Sequence, residues 1–213
     1  MDFDLLLLNA RVIDGTGAPA RRADVAVRGE TIEGLGELSA ASAAKRIDCA
    51  GRVVAPGFID IHSHSDFLVP GSDCGALVEP FLRQGMTTLV GGNCGFSPAP
   101  VSDKSRRALR ESSRLIVDEE LEPRWSTMAE FLDGLAASGV PLNVAELVGH
   151  GAVRAAVKGS LDPSPPSEEE LREMERLARE ALGAGCVGVS TGLGYAPGIF
   201  AAPEELARTA AWA

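Results

Sequence analysis

Three histidines occur in this 213-residue chain. Two of them, His62 and His64, stand one residue apart in Pro56-Gly57-Phe58-Ile59-Asp60-Ile61-His62-Ser63-His64-Ser65-Asp66. Two imidazoles side by side, with carboxylates nearby, form half of a divalent-metal site. A lone His-x-His reads more readily as two surface histidines, so the setting has to carry the argument. An extended apolar run, Arg52-Val53-Val54-Ala55, leads in through a Pro-Gly turn. A strand here alternates its side chains, which puts Asp60, His62 and His64 on one face and Ile59 and Ile61 on the other. That second face suits a cover of helices.

Other chemistry-bearing residues follow apolar runs in the same way. Met86-Thr87-Thr88-Leu89-Val90 runs into Gly91-Gly92-Asn93-Cys94-Gly95, and Leu142 to Val148 into Gly149-His150-Gly151. Cys186-Val187-Gly188-Val189-Ser190 opens into the glycine-rich stretch Thr191 to Gly198, which holds the single tyrosine, Tyr195. If each run is a parallel strand, its carboxyl end is where functional side chains collect. A thiolate with two imidazoles is a recognised zinc set that leaves a position for water, so Cys94 is a candidate third ligand beside His62 and His64. The alternative is a buried, inert cysteine. His150 either donates to a substrate oxygen or caps its strand. Glu146 is either a paired structural acid or a catalytic one. Tyr195 is either a substrate contact, in a loop whose glycines let a ligand approach, or a loop anchor. Cys49, Cys74 and Cys186 read as structural.

The elements that would position these groups divide in two. Residues 1–55 read as a small all-β segment, a sandwich or partial barrel: Leu5 to Ile13, Ala23 to Val27, Thr31 to Gly36 and Arg46 to Cys49 are short strands between glycine-rich turns. Residues 56–213 alternate strand, loop and helix. Asp73 to Arg83 predicts a helix in which Pro80 forces a late start or a kink. Ser102 to Glu120 predicts a solvated helix. Thr127-x-x-Glu130 and Ser167-x-x-Glu170 are capping boxes ahead of apolar stripes. A last helix starts at Pro203. Four strand–helix repeats in one direction imply a parallel sheet with helices outside. A full (β/α)8 barrel needs roughly 250 residues. The chain therefore reads as the first half of a TIM-type barrel, about four βα units, truncated after the fourth.

The formal net charge of −10 leaves no basic stripe to neutralise phosphates, which excludes nucleic acid as an expected partner. The start, Met1-Asp2-Phe3-Asp4 followed by four leucines, has acids where a signal peptide needs basic residues and an apolar run too short to span a membrane. Four cysteines with no C-x-x-C pair suit a reducing, cytoplasmic compartment. Half a barrel exposes sheet edges and apolar interior surface, so self-association is expected.

With these residues in view, the chain resembles the N-terminal half of a metal-dependent amidohydrolase of the N-acyl-D-amino-acid deacylase (D-aminoacylase) kind. The segments that carry the resemblance are Pro56 to His64, Gly85 to Gly95, Asn143 to Arg154 and Gly188 to Gly198. The resemblance implies one or two zinc ions, with His62 and His64 on one metal and Cys94 as a ligand that could bridge two. It implies Tyr195 near the substrate, and metal-assisted hydrolysis of the amide of an N-acyl-D-amino acid to a carboxylate and a D-amino acid. Hydantoinase- and dihydroorotase-like relatives bridge their metals with a carboxylated lysine from strand four. The lysines here are Lys45, Lys104 and Lys158, none of them on that strand. The signature often continues with two acids where this chain has Ser65-Asp66. The remaining histidines, the strand-eight aspartate, the substrate-binding arginine and the C-terminal strands that pair with the β-rich start are expected beyond Ala213. A cyclic-amide hydrolase and an inactive truncated product are the alternatives.

Overall fold

The structure is a computed structural model that describes residues 2–68, 74–116 and 122–212. It divides into two compact units, Met1–Gly57 and Phe58–Ala213. The first is one mixed sheet built from β1 (Phe3–Val12), β2 (Arg21–Arg28), β3 (Thr31–Gly36), β4 (Ala43–Asp48) and the two-residue β5 (Val53–Val54). The order is β3-β2-β1-β4, with β5 also on β1. Strands β1 to β3 form an antiparallel meander, whereas β4 and β5 lie parallel to β1. Where the sequence suggests a sandwich or partial barrel, the described residues form this single sheet. A bulge between Leu7 and Ala10 bends β1. There Asn9 takes a left-handed backbone, and its amide donates to Asp24 Oδ1 at 2.9 Å. Ala10, Val12, Val25 and Cys49 make the unit's apolar cluster.

The second unit follows strand–helix alternation. Its elements are β6 (Phe58–Asp60), α1 (Cys74–Arg83), β7 (Met86–Gly91), α2 (Arg106–Ser113), α3 (Met128–Ser138), β8 (Asn143–Gly149), α4 (His150–Lys158), α5 (Glu168–Ala184), β9 (Gly188–Ser190) and α6 (Pro203–Ala210). The strands run parallel in the order β6-β7-β8-β9, a parallel half-barrel. Met128, Phe131 and Leu135 of α3 and Met174, Ala178 and Ala181 of α5 pack with Val148 and Trp212 in one buried cluster. The apolar stripes therefore do what their spacing predicts. Both capping boxes form. Thr127 Oγ1 accepts from the Glu130 amide and Ser167 Oγ from the Glu170 amide, each at 3.2 Å.

Several expectations change. Pro80 lies inside a continuous α1 and leaves the Ala76 carbonyl without its usual donor. Asp73, the first residue of the predicted Asp73–Arg83 helix, lies outside the described residues, as do residues 117–120 of the Ser102–Glu120 segment, whose helix is the shorter α2. Strand β6 ends at Asp60, before the histidines. Among the described residues it pairs only with β7, so Ile59 and Ile61, expected under helices, are 59% and 74% exposed. Helix α4 is not expected from the sequence: it is nine residues long and opens at His150 directly from the end of β8, with Gly151 to Ala156 all buried. No helix among the described residues is long and apolar enough to cross a membrane.

Candidate metal centre

His62 and His64 sit on the bend after β6. The carboxylate of Asp60 accepts from the His62 amide at 3.1 Å, and Ser63 Oγ accepts from the Ser65 amide at 3.1 Å. The Ser63 amide donates to the Val90 carbonyl at 3.0 Å, which carries the β6–β7 pairing past the strand end. A bend rather than strand alternation thus brings the two rings together, edge to face with centroids 5.7 Å apart. Cys94 comes from the turn after β7. Asn93, buried beside it, donates from Nδ2 to the Val90 carbonyl at 2.8 Å and to the Ser63 carbonyl at 3.4 Å, tying that turn to the histidine bend.

The result is a cluster in which one donor atom from each of His62, His64 and Cys94 lies within 4.8 Å of the others. His62 Nε2 and Cys94 Sγ are 3.1 Å apart. Burial, and next the neighbouring His62, lower the pKa of His64, which keeps its imidazole neutral and its lone pair available. Its Nδ1 is buried without a hydrogen-bond partner. Two imidazoles, one thiol and an orphaned ring nitrogen fit a borderline-soft divalent ion such as zinc.

Tyr195 is brought to the same place. Its phenol donates to the Cys94 carbonyl at 2.7 Å, and its ring stacks on Phe96 with centroids 4.7 Å apart. Burial, then the contact with Cys94, raise its pKa, so it stays a protonated donor. His150 is not brought there. It opens α4, is fully buried, and its Nε2 lies 2.8 Å from Glu205 Oε1. Arg154 Nε donates to the same oxygen at 3.1 Å. The glycines flanking His150 admit no ligand. A Cβ on Gly149 would overlap the Gly95 carbonyl, and one on Gly151 would come within 2.8 Å of it. The reading of His150 as a substrate contact is therefore corrected: close packing of the Cys94 turn on the start of α4 explains both glycines.

Asp66 and Glu146 form a second buried pair that sequence reasoning caught only in part. Gly91 separates them, since a Cβ there would reach Glu146 Oε2 at 2.5 Å and Asp66 Cβ at 2.6 Å. Desolvation raises Asp66 to about 6, partly offset by the Gly92 amide that donates to its Oδ2 at 3.0 Å. Desolvation, then the charge of Asp66, raise Glu146 well above the usual range. As two carboxylates they would leave both Glu146 oxygens and Asp66 Oδ1 without donors; a shared proton supplies one. Both groups hold protons more tightly folded than unfolded. Their contribution is complete below about pH 4, the unfolded carboxylate range, and fades as pH rises through about 6 and beyond. In the metal-free chain the stability of Glu146→Gln relative to wild type should rise as pH increases from about 5 to 8, read from urea midpoints. A constant difference across that range would refute the shared proton. Nearby Cys186 is pushed up to about 12 by burial and by Glu146, which fits an inert structural thiol.

Comparison with known proteins settles the family. The sequence profile of the amidohydrolase family matches residues 45–213. The chain belongs to that family. This amidohydrolase chain is 42% identical over 205 residues to the D-aminoacylase of Alcaligenes xylosoxydans xylosoxydans, covering 96% of its own length and 40% of the relative's. It is 46% identical over 218 residues to the N-acyl-D-glutamate deacylase of the same organism, with 98% and 42% covered. A crystal structure of N-acyl-D-glutamate deacylase from Bordetella bronchiseptica, complexed with zinc and a phosphonate mimic of the tetrahedral intermediate, superposes with a TM-score of 0.83. That structure is 39% identical, with 100% of this chain and 43% of that one covered. The amidohydrolase chain thus spans about two-fifths of the length of the curated relatives it matches.

Proposed function

We propose that this chain supplies the metal-binding side of an enzyme that hydrolyses N-acyl-D-amino acids to a carboxylate and a D-amino acid. The observation that carries the reading is the convergence of His62, His64 and Cys94 at the strand ends of a half-barrel. Its likeness to D-amino-acid deacylases supports the substrate class. His62, His64 and Cys94 would hold one or two zinc ions, with the thiolate as the anionic ligand. When bound, zinc lowers the pKa of water and polarises an acyl carbonyl. The chain's own residues prepare for this. His64 is kept neutral, Asn93 fixes the spacing of the two ligand loops, and Tyr195, its phenol on the Cys94 carbonyl, stands beside the cluster where a substrate would lie.

Exposed Phe58 and Ile59 of β6, Ile61 just after it, and Val187 before β9 support self-association at the sheet edges. Four free cysteines support a reducing, cytoplasmic setting. The functional reading is tested with the full-length gene product that carries this sequence. Zinc-loaded protein should release D-amino acids from N-acyl-D substrates and leave N-acyl-L isomers and cyclic amides untouched. Chelation should abolish turnover and zinc restore it. Preferential opening of cyclic amides would overturn the assignment.

A further inference from the structure

The turn that presents Cys94 has an unfavourable backbone. Gly92, Cys94 and Gly95 all have positive φ, at 69°, 59° and 74°. Glycine adopts this region freely, but an L side chain such as that of Cys94 avoids it unless its surroundings impose it. One side chain from another strand closes the turn at both ends. Ser190 Oγ donates to the Gly92 carbonyl and accepts from the Gly95 amide, the latter at 2.9 Å. A hydroxyl has one donor and two acceptor lone pairs, so both bonds form at once.

Ser190 is itself fixed. It ends β9, in register with Gly149 of β8. Tyr195 holds the carbonyl of Cys94, and Asp66 accepts from the Gly92 amide at 3.0 Å. Gly192 approaches so closely that a Cβ there would overlap the Cys94 carbonyl. With these backbone groups engaged, the Cys94 thiol stands 3.1 Å from His62 Nε2. Without the Ser190 hydroxyl, the Gly92 carbonyl and the Gly95 amide both lose a partner at a part-buried site, and the turn is free to open.

We propose that Ser190 is a positioning residue for the metal centre, whose hydroxyl clamps the Gly92–Gly95 turn so that the Cys94 thiol meets the two imidazoles. The inference rests on the metal reading above and assigns this role to a side chain that touches no metal.

The test loads the metal-free chain with cobalt(II) and follows the thiolate-to-cobalt charge-transfer band, which reports Cys94 ligation whether or not the protein turns over. Wild type should show the band and Cys94→Ala should lack it. Ser190→Ala should weaken cobalt binding about 10–100-fold, the usual effect of losing a group that orients a ligand. Ser190→Thr, which keeps the hydroxyl, should restore it. Hydrogen exchange at the Gly95 amide in the metal-free chain should be faster in Ser190→Ala than in wild type or Ser190→Thr. A wild type without the band would remove the metal reading, and the Ser190 role with it. A normal wild type with Ser190→Ala binding within about twofold would overturn the Ser190 role alone. The same holds if Ser190→Ala and Ser190→Thr are equally defective, because side-chain size would then be what matters.

Discussion

Gly92→Ala should cost more than about 4 kcal/mol of folding stability, an effect confined to a few kinds of single substitution. Two causes act together. Gly92 has a φ of 69°, where alanine is strained, and a Cβ there would overlap the Leu147 carbonyl and crowd the Leu147 amide. Leu147 lies inside β8 and pairs with Gly188 of β9, so the obstructing atoms are sheet backbone that cannot swing aside as a side chain would. Gly75→Ala is the natural comparison, since it lies in α1 with open space around it and no positive φ. That change should be neutral or stabilise by a few tenths of a kcal/mol to ~1 kcal/mol, because alanine is the better helix former. Urea denaturation of the two variants measures both. A Gly92→Ala protein within about 1 kcal/mol of wild type would show that the ligand turn does not pack on β8 as described.

Arg154→Met is the second large effect, at about 3–5 kcal/mol. The guanidinium is fully buried. Nε donates to Glu205 Oε1 at 3.1 Å, and Nη1 and Nη2 donate to the carbonyls of Asp162 and Ser164, each at 2.7 Å. It therefore joins α4 to the following loop and to the first turn of α6. Methionine fills much of the same volume but leaves two carbonyls without a donor and Glu205 Oε1 with only His150 beside it. Removing both charges should be milder than removing one. Arg154→Met/Glu205→Leu is expected to recover part of the loss, a coupling that a double-mutant cycle reads directly. Additive single effects would mean that the two charges do not support each other.

These two sites mark what could be read from residue types and what could not. The meeting of His62, His64 and Cys94 was legible because residues after apolar runs obey a rule about strand ends that holds across barrels. The capping boxes at Thr127 and Ser167 were legible because they are local, each closed within four residues. His150 was misread because its partner, Glu205, lies 55 residues away on α6 and has no local pattern to announce it. Its flanking glycines resemble ligand-access glycines, although a carbonyl from the Cys94 turn occupies the space. Helix α4 is hard to read for another reason: nine residues that follow β8 with no intervening loop are too short a window for a periodicity argument. The early end of β6 at Asp60 shows that the two histidines needed the Asp60 and Ser63 side-chain turns, not strand alternation, to converge.

If His62, His64 and Cys94 hold a metal ion together, zinc content reports it without any need for turnover. Wild-type chain and Cys94→Ala would be stripped with chelator, reloaded with zinc, desalted and analysed for bound metal. Stoichiometric zinc is expected in the wild type and its loss in Cys94→Ala, with both proteins still folded. Equal zinc in the two proteins, whether negligible or stoichiometric, would contradict it, because the thiol would then have no part in holding the ion.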